Sequence, residues 1–183
     1  MELFFIIPGV LVLLAIWFIF VYNGLITLRN RVEEAWSDIE VQMKRRYDLI
    51  PNLVETVKGY AKHEDSVFTK VTEARTAAMG AQTMSEHVEA ENQLSQTLKS
   101  LFAVSENYPQ LRASDNFLDL QRNLTDAEDK IQASRRFYNG NVRDFNTKLQ
   151  VFPTNLIAGM FGFTKRDFYD APDVVNEAPS VKF

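Results

Sequence analysis

The sequence contains no cysteine, so the chain cannot form a disulfide or a thiolate metal site. Only two histidines occur, His63 and His87, and neither belongs to a Glu-x-x-His or a His-Glu-x-x-His element. Tyr60 and Met84 stand where a Glu-x-x-His element of a di-iron bundle would place its glutamates. No glycine-rich phosphate loop, nucleophile elbow or kinase motif is present. We therefore predict no catalytic residue, no cofactor and no metal.

Glycine and proline are also scarce, with seven and six residues among 183, which indicates few turns and long helices. The chain lacks a basic excess, because its formal net charge is -4. Nucleic-acid binding usually needs a basic face, so we expect no nucleic-acid partner.

Charge is absent from the beginning of the sequence, where no charged residue occurs from Leu3 to Leu28. The first twenty of these residues are apolar apart from one Pro-Gly pair, and twenty are enough to cross a hydrocarbon layer about 30 Å thick. Trp17 and Tyr22 suit an interfacial position. The bulky end of the run disfavours a cleaved signal peptide. We predict that residues 1–24 are an uncleaved anchor in the lipid bilayer. Because Arg29 and Arg31 follow the span, the bulk of the chain is expected in the cytoplasm.

A long amphipathic helix follows the anchor directly. Its apolar positions recur every three or four residues, at Leu25, Leu28, Val32, Trp36, Ile39, Met43, Tyr47, Ile50, Val54, Val57 and Ala61. Their mean step of 3.6 residues is the period of an α-helix. Pro51 removes one hydrogen bond and crowds the carbonyl of Tyr47, but the apolar stripe keeps its phase. We predict a kink and not a break.

Three further helices are predicted. The second covers about 66–79, with Phe68, Val71, Ala74 and Ala78 on one face, and the third begins at a capping box formed by Thr83 and Glu86. The fourth runs from residue 114 or 115 until Pro153 stops it. The predicted fold is all-α: one N-terminal transmembrane helix, then an antiparallel up-down-up-down bundle with two long helices in residues 25–152. Residues 153–183 form an apolar membrane-proximal segment and a mobile acidic tail.

One polar set is predicted to lie inside the bundle. Arg46, Asp48 and Asn52 surround Pro51, and Asn141 falls on the inner face of the fourth helix. If these residues meet, they form a buried hydrogen-bond network that fixes the register of the helices. A ligand-binding or enzymatic site around Arg46, Asn52 and Asn141 is the alternative.

Other charged residues of the fourth helix are expected to be solvated, namely Asp126, Glu128 and Asp129.

The apolar stripe on the membrane-proximal half of the long helix is longer than the other helices of one chain can cover. Only the fourth helix is long enough to reach Leu28, Trp36 and Ile39, so we expect a second copy to cover the remainder. Confinement in a membrane favours such pairing. The prediction is a homo-oligomer, with other membrane proteins as possible partners.

An apolar segment follows the fourth helix, which returns toward the membrane in this topology. It carries Leu156, Ile157, Met160, Phe161 and Phe163, then the basic pair Lys165 and Arg166. Apolar residues ending in cations suit a membrane-surface segment. The alternative is that they cap the bundle core. The acidic tail, with Asp167, Asp170, Asp173 and Glu177, would be repelled from an anionic surface.

Four long blocks of the sequence carry a resemblance to a known protein family. They are residues 71–81, 90–109, 22–64 (YNGLITLRNRVEEAWSDIEVQMKRRYDLIPNLVETVKGYAKHE) and 135–163 (RRFYNGNVRDFNTKLQVFPTNLIAGMFGF). Through these blocks the chain resembles the LemA family over nearly its whole length. The resemblance implies a membrane-anchored helical bundle without established enzymatic activity, and one branch of the family is associated with magnetosome membrane formation. A non-enzymatic scaffold or adaptor at the bacterial inner membrane is the favoured function.

Overall fold

The computed structural model describes residues 2–169, with side chains from residue 6 onward. Six helices and no strand occur in this range, which confirms the all-α prediction. They are α1 (Glu2–Lys58), α2 (Asp65–Gly80), α3 (Met84–Ser105), α4 (Pro109–Arg112), α5 (Asp115–Gln150) and α6 (Thr154–Met160). The side chain of Leu3 lies outside the described residues, and so does the predicted acidic tail apart from Asp167, namely Asp170, Asp173 and Glu177.

Helix α1 continues through Pro51, so the predicted absence of a break is confirmed. A proline cannot donate to the carbonyl four residues earlier, which leaves the Tyr47 carbonyl without its helical partner. Arg75 of α2 supplies the missing donor, because its Nε donates to that carbonyl oxygen at 2.7 Å. A side chain from the neighbouring helix therefore compensates for the proline.

The chain divides into two compact units, to which α1 and α5 both contribute. Among the described residues, unit 1 contains 2–38 and Ser134–Phe168, and unit 2 contains Ile39–Ala133 and Tyr169.

In unit 2, contacts at both ends of α2 establish its direction relative to α1. Lys58 lies 5.7 Å from the ring centroid of Phe68, and the Tyr47 hydroxyl lies 3.5 Å from the carbonyl oxygen of Ala78. The two helices are therefore antiparallel, and α2 also packs on α3. The apolar face predicted for α2 is buried in full. Every apolar position predicted for α1 in this unit, from Ile39 to Ala61, is buried as well.

The N-terminus of α3 has the predicted capping box. The Thr83 hydroxyl accepts from the Glu86 N–H at 3.3 Å, and the Glu86 carboxylate accepts from the N–H groups of Thr83 and Gln82. These N–H donors, the Gln82 N–H first, hold the pKa of Glu86 below its usual value. The box thus satisfies backbone donors that a helix start leaves without partners.

In unit 1, α1 and α5 are also antiparallel. The rings of Trp36 and Tyr138 pack edge to face with centroids 5.6 Å apart. Earlier on α1 and later on α5, Arg29 and Phe145 both contact the ring of Phe163. Helix α6 and the segment after it complete this unit.

The segment after α6, residues 161–168, is tied to α5 by backbone-directed hydrogen bonds. Gly162 has a φ of 67°, a left-handed conformation that glycine adopts without strain. The buried amide of Asn146 donates to the Arg166 carbonyl at 2.8 Å and accepts from the Arg166 N–H at 2.9 Å. The Tyr138 hydroxyl donates to the Asp167 carbonyl at 3.0 Å. Two side chains of α5 therefore fix the path of this segment.

Candidate functional site

The most buried charged residues, Arg46 and Glu91, lie in unit 2. Together with Tyr47 and the partly exposed Glu128 they form what we call the polar cluster. Arg46 is only 2% exposed and donates from its two terminal nitrogens to the carboxylates of Glu91 and Glu128. The Tyr47 hydroxyl donates to the other oxygen of Glu91, which is itself 1% exposed. The cluster therefore joins α1, α3 and α5 through charge-assisted hydrogen bonds.

Helical register explains why these charges are inside. Arg46 lies three residues after Met43 and four before Ile50, and Glu91 lies three before Leu94; all three apolar neighbours are buried. Each charged side chain thus projects from the core face of its helix. Desolvation, followed by the nearby Glu91 carboxylate, raises the pKa of Tyr47. The hydroxyl keeps its proton and remains a donor.

The carboxylates of the cluster already accept hydrogen bonds from the guanidinium and the phenol, which disfavours their use as ligands for another molecule. A cavity of about 500 Å³ lies at the connection between α2 and α3 and is lined by Ala77, Gly80, Ala81, Gln82, Thr83, Glu86, Glu89, Ala90 and Gln93. None of these residues belongs to the polar cluster. Among the described residues, no group of histidine, aspartate and glutamate side chains could hold a metal ion. The arrangement favours a structural role over a ligand site.

The predicted polar network needs correction. Asp48 and Asn52 are exposed, because steps of two and six residues from Arg46 rotate them to other faces of α1. Asn141 is half-buried and donates to the Phe137 carbonyl of its own helix at 2.9 Å. In α5 the buried asparagine is Asn146.

The carboxylates of α5 that we expected to be solvated have different surroundings. Glu128 accepts from the buried guanidinium described above, so that expectation is wrong for this residue. Asp126 accepts from Lys130 at 3.1 Å and from Arg45 at 2.7 Å. These bonds, that from Lys130 first, lower the pKa of Asp126. Asp129 is exposed.

The predicted self-association residues differ in what their own chain leaves uncovered. Ile39 has no exposed surface, so it cannot contact a second copy. Leu28 and Trp36 are half-buried, and Trp36 packs on Tyr138. Only these two of the three retain surface for a partner.

The membrane-spanning candidate is the start of α1. From residue 6 to 58 this helix is long and apolar enough to cross a membrane, and only 6% of its most apolar stretch is buried. Leu11, Leu13 and Phe20 are 61%, 68% and 72% exposed. Trp17 is exposed and Tyr22 half-buried. A core helix of a soluble protein would be mostly buried, which this stretch is not.

The predicted membrane-surface residues do not share one environment. Ile157 is buried, whereas Leu156, Met160 and Phe161 are exposed. Phe163 is half-buried, and Lys165 and Arg166 are exposed. One face of α6 therefore joins the core of unit 1, as the core-cap alternative predicts, and the other face is uncovered.

Aromatic contacts link this segment to the end of the apolar run. The ring centroid of Phe161 lies 5.8 Å from that of Phe18 and 4.8 Å from that of Tyr22. Phe163 lies 6.1 Å from Tyr22. Phe161 and Phe163, which directly follow α6, are therefore held beside the last turns of the candidate span.

Glu91 is the functional residue that the sequence interpretation missed. It replaces an apolar residue within the buried stripe of α3, which includes Leu94, Leu98 and Leu101. The available signal was a carboxylate at a position of α3 where the helical period predicts a buried apolar residue.

A family model described as the LemA family matches residues 35–183. The protein LemA of Metamycoplasma hominis is 29% identical to the chain, over 86% of this chain and 73% of that protein. The magnetosome protein MamQ 2 of Paramagnetospirillum magneticum is 25% identical, over 81% of this chain and 64% of that protein. The magnetosome protein MamQ of Magnetospirillum gryphiswaldense is 23% identical over the same shares. The alignment thus spans just under two thirds of each of these MamQ proteins.

Proposed function

The chain belongs to the LemA family, and from this premise we propose that it is a non-enzymatic scaffold or adaptor anchored in the bacterial inner membrane. One observation carries the proposal: a helix whose apolar stretch is uncovered lies beside an apolar segment that is also uncovered. Burial of apolar surface is the dominant favourable term in folding, so such a surface needs another apolar environment. A bilayer provides it for both elements at once.

The arrangement of α6 supports a specific depth in that bilayer. The ring of Phe161, just after α6, packs at a tilt against those of Phe18 and Tyr22, which belong to the end of the apolar run. Leu156 and Met160 are on the uncovered face of the same segment. We propose that this face enters the interfacial layer while Ile157 stays in the protein core.

A depth measurement tests the proposal on the full chain in vesicles. Because the sequence has no cysteine, a single introduced thiol carries a spin label at one known position. Labels at Leu156→Cys and Met160→Cys are expected to collide more with oxygen than with a water-soluble nickel chelate. The matched control is Asn155→Cys, which replaces an exposed polar residue of the same helix. Equal nickel accessibility at all three positions would refute the interfacial segment, and loss of the protein from the membrane fraction would refute the anchor.

The orientation is proposed from charge. Arg29 and Arg31 follow the span, and basic residues favour the cytoplasmic side. Lys62→Cys, an exposed position, is expected to react with a membrane-impermeant maleimide in inverted vesicles and not in intact spheroplasts. The opposite result would place the bulk of the chain in the periplasm.

The absence of catalysis is proposed from the polar cluster. Its charges pair with one another, and none of its members lines the cavity at the α2 and α3 connection. This supports a role in stability over the alternative of a ligand-binding or enzymatic bundle.

Self-association is proposed through the part of α1 that stays partly uncovered. Leu28→Cys is expected to form disulfide-linked dimers when membranes containing the full chain are oxidised. Asn30→Cys, an exposed position two residues along the helix, is the matched control. Equal dimer yields from the two variants would count against an ordered contact at Leu28.

A further inference from the structure

A small cavity in unit 1 lies where α1 meets the segment after α6. Its volume is about 210 Å³, and its lining includes Tyr22, Arg29, Phe145, Phe163 and Arg166. Two of these five residues are cationic and three are aromatic. Such a lining combines apolar walls with charges that are suited to an anion.

At this cavity, two cationic side chains share one carboxylate. Arg29 and Arg166 both approach the Oε1 atom of Glu33, at 4.0 Å and 3.0 Å. The first distance is too long for a hydrogen bond. The buried Nε of Arg29 therefore has no hydrogen-bond acceptor among the described residues. The guanidinium carbon lies 5.9 Å from the ring centroid of Phe163. Two guanidinium groups that share one carboxylate, one of them beside an aromatic ring, favour an anionic ligand.

The position of the cavity along α1 identifies the source of that anion. The apolar run ends at Tyr22, which lines the cavity. Arg29 follows seven residues later, which is roughly 10 Å along a helix. The headgroup layer is the region just beyond the hydrocarbon core, about 5–8 Å thick on each side. The long side chain of Arg29 can extend back into that layer.

We propose that this cavity binds the phosphate of an anionic phospholipid headgroup, with Arg29 and Arg166 as its donors. The guanidinium of Arg29 donates to one phosphate oxygen and that of Arg166 to another. The aromatic residues Tyr22 and Phe161 line the path of the acyl chains. The inference rests on the membrane anchoring proposed above.

Native mass spectrometry of the full-length protein in detergent micelles tests the assignment. Phosphatidylglycerol and phosphatidylcholine with identical acyl chains are titrated separately. The wild type is expected to bind phosphatidylglycerol more tightly. Arg29→Gln and Arg166→Gln should each weaken that binding about tenfold, since each removes a charge-assisted hydrogen bond. Arg143→Gln is the matched control, because Arg143 is exposed and pairs with its neighbour Asp144.

A conservative variant separates charge from geometry. Arg29→Lys keeps the charge but loses the planar guanidinium, so it should bind phosphatidylglycerol with an affinity between those of the wild type and Arg29→Gln. Helical content measured by circular dichroism shows whether each variant is folded. A folded Arg29→Gln that binds phosphatidylglycerol as Arg143→Gln does would overturn the proposal, and so would equal binding of the two lipids by the wild type.

Inorganic phosphate distinguishes the lipid from the free anion. An excess of phosphate is expected to leave phosphatidylglycerol bound, because the acyl chains add contacts that the free anion lacks. Displacement by phosphate would overturn the lipid assignment. If the wild type sediments with membranes but shows no lipid preference, only this inference fails. If it does not sediment with membranes, the proposed anchoring fails as well.

Discussion

The polar cluster of unit 2 and the cavity of unit 1 use the same chemical groups in opposite proportions. In the cluster, Arg46 donates to two carboxylates, those of Glu91 and Glu128. At the cavity, two arginines approach the single carboxylate of Glu33. In the cluster, both terminal nitrogens of one guanidinium donate to carboxylates, whereas at the cavity one carboxylate is shared by two guanidinium groups. A cation that is outnumbered by its carboxylates stabilises the fold, whereas cations that outnumber their carboxylate are available for recognition.

The largest expected effect comes from removing the centre of the polar cluster. Arg46→Ala leaves the Glu91 carboxylate buried without its cation, and breaking a buried pair in this way costs about 3–5 kcal/mol. Chemical denaturation of the full chain in detergent, followed by circular dichroism, measures the loss. Arg122→Ala is the control, because its pair with Asp119 is exposed and contributes about 0–1 kcal/mol. Equal losses in the free energy of unfolding for the two variants would contradict the distinction between buried and exposed ion pairs.

A second prediction concerns the arginine that compensates for the helix proline. Arg75→Ala leaves the Tyr47 carbonyl without a donor, at a cost of about 1–3 kcal/mol. In a Pro51→Ala background the new N–H can donate to that carbonyl, so the same change should cost less. The two backgrounds form a double-mutant cycle measured by denaturation. Lys70→Ala, an exposed change on the same helix, is the control, and a cycle without coupling energy would argue against the compensation.

The pH dependence of stability is a third prediction. The pKa of Tyr47 is raised above the ordinary value of 10.0, so this tyrosine ionises in the unfolded chain before it does in the folded one. Its contribution is therefore complete below pH 10 and is lost as the pH rises above that value. Tyr47→Phe removes this contribution, so its stability should fall less steeply at alkaline pH. Parallel alkaline profiles for the two proteins would show that Tyr47 is not the group responsible.

The smallest effect is expected at the carboxylate of the cavity. Glu33→Gln removes the one anion that faces Arg29 and Arg166, so binding of phosphatidylglycerol should strengthen. Glu33 is more than half exposed, so solvent screens its charge and the gain should be only about twofold. Native mass spectrometry measures it, with Asp144→Asn as the exposed control in the same unit. Weaker binding after the change would mean that Glu33 assists the ligand.

Apolar periodicity explains how much of the fold was predictable. The predicted stripe of α1 from Ile39 to Ala61 and the four apolar residues of α2 are all buried, because burial repeats with the turn of the helix. The capping box was readable because its two residues are close in sequence. The short helices α4 and α6 were missed, since one or two turns are too short for a periodic pattern.

The sites were less predictable, because their partners are distant in sequence. Arg46 and Glu91 are 45 positions apart, and nothing in the pattern around either residue names the other. The prediction of Asp48 and Asn52 followed proximity to Pro51, which ignores the rotation of the helix. Ile39 was assigned to an interface between copies, but its own chain covers it completely. Periodicity gives the inward face of a helix, but not the partner that covers it.

The way Asn146 contacts Arg166 has a consequence for how this protein can change over evolution. Asn146 bonds only main-chain atoms of Arg166, a carbonyl and an N–H that every residue except proline provides. The backbone atoms of Arg166 therefore fix the position of this segment, whereas its side chain supplies the charge at the cavity. A single substitution at position 166 can alter the charge offered to the cavity while the backbone keeps its path. Lipid preference can thus diverge among descendants of this sequence without a new fold.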